Sequence, residues 1–213
     1  MDYDLYVVTS SELSCGRQTL EVVREALAGG ATVIQLREKN WTARTMVEVG
    51  REIRKLTREA GAGFIVNDRL DVALAVEADG VHLGQDDLPA SVARRLLGRG
   101  RILGVSVGSV DEALEAQAAG ADYLGVGPIF ATGSKADAGQ PVGPELISAL
   151  KKIVSIPLVA IGGINRENAP EVVAAGADGV AVISAVVGAR DVRLAAAELL
   201  AVIRAAKERR GNR

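Results

Sequence analysis

Punctuation constrains this chain most: short apolar runs alternate with helical stretches from one end to the other. Residues 5–8, 32–36, 64–66, 80–83, 102–107, 123–126, 157–161 and 180–183 are rich in Val, Ile and Leu. Each is the length of one buried strand and too short for a buried helix. Between them lie helix signals. Residues 18–28 stop at Gly29-Gly30, a C-terminal glycine signal. Trp41-Thr42 opens a long helix with Met46, Val49, Ile53 and Leu56 on one face, and Trp41 reads as a packing residue. A short helix is expected over 70–77, and Pro89 suits the first turn of the next. Ser109-Val110-Asp111-Glu112 reads as a capping box and Asn165 as an N-cap. Another helix begins near Gly143-Pro144, and the last covers about 192–206. The pattern Ala-Asp-Gly or Ala-Asp-Tyr recurs at 78–80, 121–123 and 177–179, each time joining a helix end to a strand, but too irregularly for a solenoid. Eight such units in 213 residues point to a single-domain (β/α)8 TIM barrel spanning 1–213, with an open doubly wound sheet as the alternative. The basic tail, 207–213, is expected to fray.

Charge and cysteine content narrow the function. Twenty-five basic side chains face 27 acidic ones, for a net charge of -2, which argues against a general binder of nucleic acid or membrane surfaces. No apolar run approaches the ~18 residues of a membrane span. Met1-Asp2-Tyr3-Asp4 is acidic and lacks the pattern of a signal peptide. Cys15 is the sole cysteine, so no internal disulfide can form, and a cytoplasmic protein is expected. Nothing beside Cys15 would activate it, so it reads as an inert thiol. The sequence carries no signal for or against a homo-oligomer.

In a barrel of this kind ligands sit at the C-terminal ends of the strands. The polar residues of this chain collect there: Gln35, Arg37 and Lys39 after the second strand, Asn67 and Asp68 after the third, His82 and Asp87 at the fourth. Ser106 follows on the fifth, Thr132-Gly133-Ser134-Lys135 on a long loop after the sixth, Gly163 after the seventh and Ile183-Ser184 after the eighth. Alternation turns Gln35, Arg37 and, if the extended form continues, Lys39 the same way. Each group has a plainer reading. Arg37 and Asp68 could simply pair, Asp68 and Asp87 could be helix caps, His82 could be a hydrogen-bonded wall residue, and Gly162-Gly163 could be turn glycines. Together they suggest two anion sites across one mouth. Asp68 and Asp87 with phosphate oxygens and water suit Mg²⁺, beside Arg37, Lys39 and Lys135. The glycines and hydroxyls of the last strands suit a phosphate. Pyrophosphate leaves readily once its charge is neutralised, so the layout suits a group transfer that displaces it.

The stretches QLREK at 35–39, ND at 67–68, HLGQDD at 82–87, GVS at 104–106, GPIFATGSK at 127–135, AIGGI at 160–164 and ADGVAVIS at 177–184 together resemble the thiamine-phosphate synthase family over nearly the whole chain. The resemblance implies a (β/α)8 barrel joining a pyrimidine pyrophosphate to a thiazole phosphate with Mg²⁺ as cofactor. It implies that Gln35, Leu36, Arg37, Glu38, Lys39, Asn67, Ser106 and Lys135 contact the pyrimidine pyrophosphate, and that Asp68 and Asp87 bind the metal. Thr132, Gly133, Ser134, Gly163, Ile183 and Ser184 would hold the thiazole phosphate. The resemblance also implies a dissociative step, in which pyrophosphate leaves before the thiazole nitrogen attacks, so no protein nucleophile is required. A thiazole tautomerase paralogue would share the barrel and phosphate site without requiring Asp68, Asp87 or Lys135. A non-catalytic sensor would be free to lose Lys135.

Overall fold

The computed structural model describes residues 1–134 and 139–211. Eight parallel strands pair in chain order and β1 closes against β8, completing a barrel. They are β1 (Leu5–Val8), β2 (Val33–Leu36), β3 (Gly63–Asn67), β4 (Gly80–Leu83), β5 (Ile102–Val107), β6 (Tyr123–Val126), β7 (Leu158–Ile161) and β8 (Gly179–Val182). Around them lie α1 (Thr19–Ala28), α2 (Ala43–Ala60), α3 (Leu70–Ala75), α4 (Ala90–Leu97), α5 (Val110–Ala118), α6 (Gly143–Leu150), α7 (Ala169–Ala174) and α9 (Val192–Gly211). A 3-10 turn, Ser11–Leu13, and a one-turn helix, α8 (Ser184–Val187), sit at the mouth.

Strand alternation divides the core in two. Outward side chains such as Leu5, Ile34, Leu36 and Phe64 pack against the helices. Inward ones, Tyr3, Tyr6, Val8, Val33, Ile65, Tyr123, Val159 and Ala181, fill the barrel. The long helix α2 is capped as expected, Thr42 accepting the Thr45 N–H. It buries Met46, Gly50, Ile53 and Thr57, while Val49 and Leu56 flank that stripe. Trp41 packs against the same core.

Three local expectations are revised. Ser109 accepts the Glu112 N–H, but Glu112 Oε2 takes the N–H of Gly108, so the capping box is shifted by one residue. Asn165 accepts the N–H groups of Glu167 and Asn168, capping the turn before α7 rather than the helix itself. Of the basic tail expected to fray, 207–213, the part up to Gly211 is helical, and residues 212–213 lie outside the described residues. Lys207 binds the Asp4 carboxylate, and Arg210 donates to the carbonyls of Val173 and Ala177 at 2.9 and 2.7 Å. Tertiary partners hold a segment that its own composition would leave loose.

Candidate active site

The strands' C-terminal ends open into a cavity of about 980 Å³. Arg37, Lys39, Asn67, Asp68, Asp87 and Ser106 line one part of it. Thr132, Gly133, Ser134, Gly163, Ile183 and Ser184 line another. The two groups expected from the sequence therefore share one space. Lys135, also expected here, lies outside the described residues.

Asp68 stands at the tip of β3 in the left-handed region, with φ of 59°, an uncommon conformation that Asp tolerates better than most residues. Its N–H donates to the His82 carbonyl at 2.8 Å, which anchors the turn to β4. Its carboxyl is pushed up to about 7, first by burial and then by a hydrogen bond to, and repulsion from, Asp87, against the pull of Lys39 and Arg37. Asp87 is itself fixed, Oδ2 accepting the Gly84 N–H at 2.7 Å. Among the described residues Arg37 and Asp68 do not form an ion pair. Arg37 is anchored instead through its backbone, which donates to Thr9 Oγ1 at 3.0 Å. Two carboxylates thus face each other with cations beside them, an arrangement that favours holding a proton or a positive ion between them.

Across the cavity, Ser134 Oγ donates to Ser184 Oγ at 3.0 Å and Thr132 Oγ1 accepts the Ser134 N–H at 3.2 Å. The loop after β6 is thereby tied to the end of β8. Gly163 has φ of 65°, and a Cβ there would stand 2.6 Å from the Ala131 carbonyl oxygen, so only glycine lets the loop pack this closely.

Four expected contacts do not line the cavity. Strand β2 ends at Leu36, so the alternation projected through residue 39 does not continue. Leu36 is fully buried among the helices. Glu38 turns away to accept from Ser11 N at 2.9 Å and Ser11 Oγ at 2.7 Å. That fixes the 3-10 turn, whose Leu13 reaches the cavity. Gln35 and His82 point into the barrel one layer below, Gln35 onto Tyr6 and His82 onto Tyr123 and Ser106. Gln85 and Glu112 line the cavity without having been singled out. Gln85 Nε2 donates to the Ser106 carbonyl at 2.6 Å, and Glu112 holds Gly108. Their signal was weak: Gln85 is one of several polar residues in a loop, and Glu112 fitted a helix-start pattern.

Fold and site define a (β/α)8 barrel with a polar cavity at the C-terminal ends of its strands. A family model described as thiamine monophosphate synthase matches residues 5–186. The thiamine-phosphate synthase of Moorella thermoacetica is 65% identical over 205 residues, 96% of this chain and 98% of that protein. That of Chloroflexus aurantiacus is 56% identical, over 98% of this chain and 96% of that one. The solved thiamine phosphate pyrophosphorylase of Pyrococcus furiosus superposes with a TM-score of 0.90 at 51% identity, covering 96% of this chain and 97% of that one. This chain belongs to the thiamine monophosphate synthase family.

Proposed function

We propose that the chain is a thiamine-phosphate synthase. It transfers the pyrimidinylmethyl group of 4-amino-2-methyl-5-(diphosphooxymethyl)pyrimidine to the ring nitrogen of a thiazole ethyl phosphate. Thiamine phosphate and pyrophosphate result, with CO₂ when the thiazole carries a carboxylate. One observation carries the reading: a cluster of cations and paired carboxylates shares a single cavity with a hydroxyl- and glycine-rich wall.

Arg37 and Lys39, with Lys135 from the loop, would neutralise the diphosphate as the C–O bond breaks and its electron pair leaves with the diphosphate. Asn67 and Ser106 would orient the pyrimidine end, supported from below by Gln35 and His82. Thr132, Gly133, Ser134, Gly163, Ile183 and Ser184 would hold the thiazole phosphate, setting the ring nitrogen to attack the exocyclic carbon. Positioning and electrostatics would supply the catalysis. Cys15 is exposed and does not line the cavity, in keeping with a route that uses no protein nucleophile.

Asp68 and Asp87 fit Mg²⁺, because the two carboxyl groups face each other closely enough to repel, and a cation between them would relieve that repulsion while taking their oxygens alongside substrate phosphates. When bound there, Mg²⁺ would neutralise leaving-group charge. The test is to incubate the purified protein with both substrates and Mg²⁺. Thiamine phosphate and pyrophosphate should appear in equal amounts. Isomerisation of the thiazole carboxylate without coupling would favour the tautomerase reading, and binding without turnover would favour a sensor. Lys135→Ala should slow turnover strongly while leaving the fold intact.

A further inference from the structure

Beneath Ser106 a chain of hydrogen bonds crosses the barrel interior. Gln35 Nε2 donates to Tyr6 Oη at 2.8 Å, and Tyr6 Oη lies 2.8 Å from Tyr123 Oη. Tyr123 Oη lies 2.9 Å from His82 Nδ1, and His82 Nε2 lies 2.8 Å from Ser106 Oγ, which lines the cavity. The backbone makes room for this chain. A Cβ at residue 104 would stand 2.4 Å from Tyr123 Oη, and one at residue 125 would stand 2.8 Å from His82 Cε1. Glycines at both positions admit the two rings.

Counting donors gives the chain a direction. The Gln35 amide supplies a hydrogen to Tyr6. Among the described residues the Tyr6 hydroxyl is bonded to Gln35 and Tyr123, so its own hydrogen goes to Tyr123. Tyr123, its oxygen now accepting, passes its hydrogen to His82 Nδ1. The imidazole then carries its proton on Nε2 and donates to Ser106 Oγ. With that acceptor position filled, the serine hydrogen is free to point into the cavity. Burial keeps both phenols protonated, raising them above the ordinary tyrosine range.

We propose that Gln35, Tyr6, Tyr123 and His82 form a polarised relay that fixes Ser106 as a hydrogen-bond donor toward an acceptor atom of the pyrimidine pyrophosphate. Tyr6 and Tyr123 are positioning residues, acting on the substrate only through His82 and Ser106. The ligand's identity rests on the function proposed above; the direction of the relay does not.

His82 is the sole histidine, so its ¹⁵N signals need no assignment. In the substrate-free protein at neutral pH, nitrogen NMR should show a protonated Nε2 and an unprotonated Nδ1. The opposite tautomer, or a doubly protonated ring, would overturn the relay. Tyr123→Phe should abolish the single-tautomer signature and lower kcat about tenfold, yet change kcat less than about twofold when Ser106 is already Ala, because coupled residues are not additive. Equal losses in both backgrounds would overturn the positioning role. The tautomer measurement needs no substrate and no turnover, so it stands or falls apart from the proposed reaction.

Discussion

The two rims of this barrel use the same side chains to opposite ends. At the N-terminal rim every recurring Asp is satisfied. Asp79 accepts the Phe64 N–H at 2.8 Å and both ends of the Arg54 guanidinium at 2.8 and 2.9 Å. Asp122 accepts the Leu103 N–H at 2.8 Å and pairs with Arg94. Asp178 accepts the Leu158 N–H at 2.9 Å and the Lys151 ammonium at 2.7 Å. The thrice-repeated Ala-Asp motif is therefore a clip, bonding the start of each strand to the preceding one and to a helix. At the C-terminal rim Asp68 and Asp87 face each other instead, and Arg37 opens onto the cavity. The rims also titrate in opposite directions. Burial works to raise the Asp4 carboxyl at the closed end, but hydrogen bonds from Lys207 and Arg204 outweigh it and hold it below the usual range, whereas Asp68 is pushed up to about 7. Charges at one end are taken up by backbone and helix partners, and at the other they line a cavity.

Changes at the mouth should thus harm chemistry, and changes at the base should harm stability. Arg37→Ala carries the largest expected effect, a fall in kcat of about 10²–10³-fold, the scale of losing one stabilising donor. Its melting temperature should stay near that of the wild type, which a thermal scan beside the kinetics would check. Asp79→Ala should do the reverse, leaving Arg54 and the Phe64 N–H without their acceptor. A loss of about 2 kcal/mol in urea unfolding is expected, with kcat within about twofold at permissive temperature. Comparable activity losses from the two variants would break the distinction.

Asp68→Asn sharpens it. The folded-state value lies above the unfolded one, so the folded protein binds the extra proton, and stability falls as pH rises from about 4 through about 7. Removing that ionisation should stabilise the substrate-free protein at pH 8 by about 1 kcal/mol, discounted because the carboxyl is only partly buried, and by nothing near pH 3. The same variant should lose activity. Asp4→Asn should show the opposite sign, destabilising at pH 7, because the depressed carboxyl contributes above its unfolded value and loses that contribution as pH falls. Arg210→Ala, which only loosens the final turns of α9, should cost about 0.5 kcal/mol and leave turnover unchanged.

The strands were legible almost to the residue, because runs of Val, Ile and Leu between glycine and polar breaks leave little choice of element. The one-turn helix at Ser184–Val187 was not, being too short to show a period. The tail misled because Lys207 and Arg210 find partners, Asp4 and the α7 end, that sequence spacing cannot bring near. At the site, charged residues after strand ends marked one wall of the cavity, and hydroxyls and glycines after the later strands marked the other. The relay stayed hidden, because Tyr6 and Tyr123 read as strand formers like any other. Only the closed barrel sets them across from Gln35 and His82. Glu38 was expected at the substrate only because the QLREK stretch resembles the family's; its bond to Ser11 depends on the turn after β1, which strand alternation does not reveal.

Linked binding of pyrophosphate and Mg²⁺ tests the central claim most directly. Titration calorimetry of the wild type should show pyrophosphate binding at least about tenfold tighter with Mg²⁺ than without, and Mg²⁺ binding tightened by the same factor with pyrophosphate present. The double variant Asp68→Asn, Asp87→Asn should lose this coupling. Equal pyrophosphate affinity with and without the metal, or coupling that survives in the variant, would contradict a mouth built to hold a diphosphate between acid pair and cations.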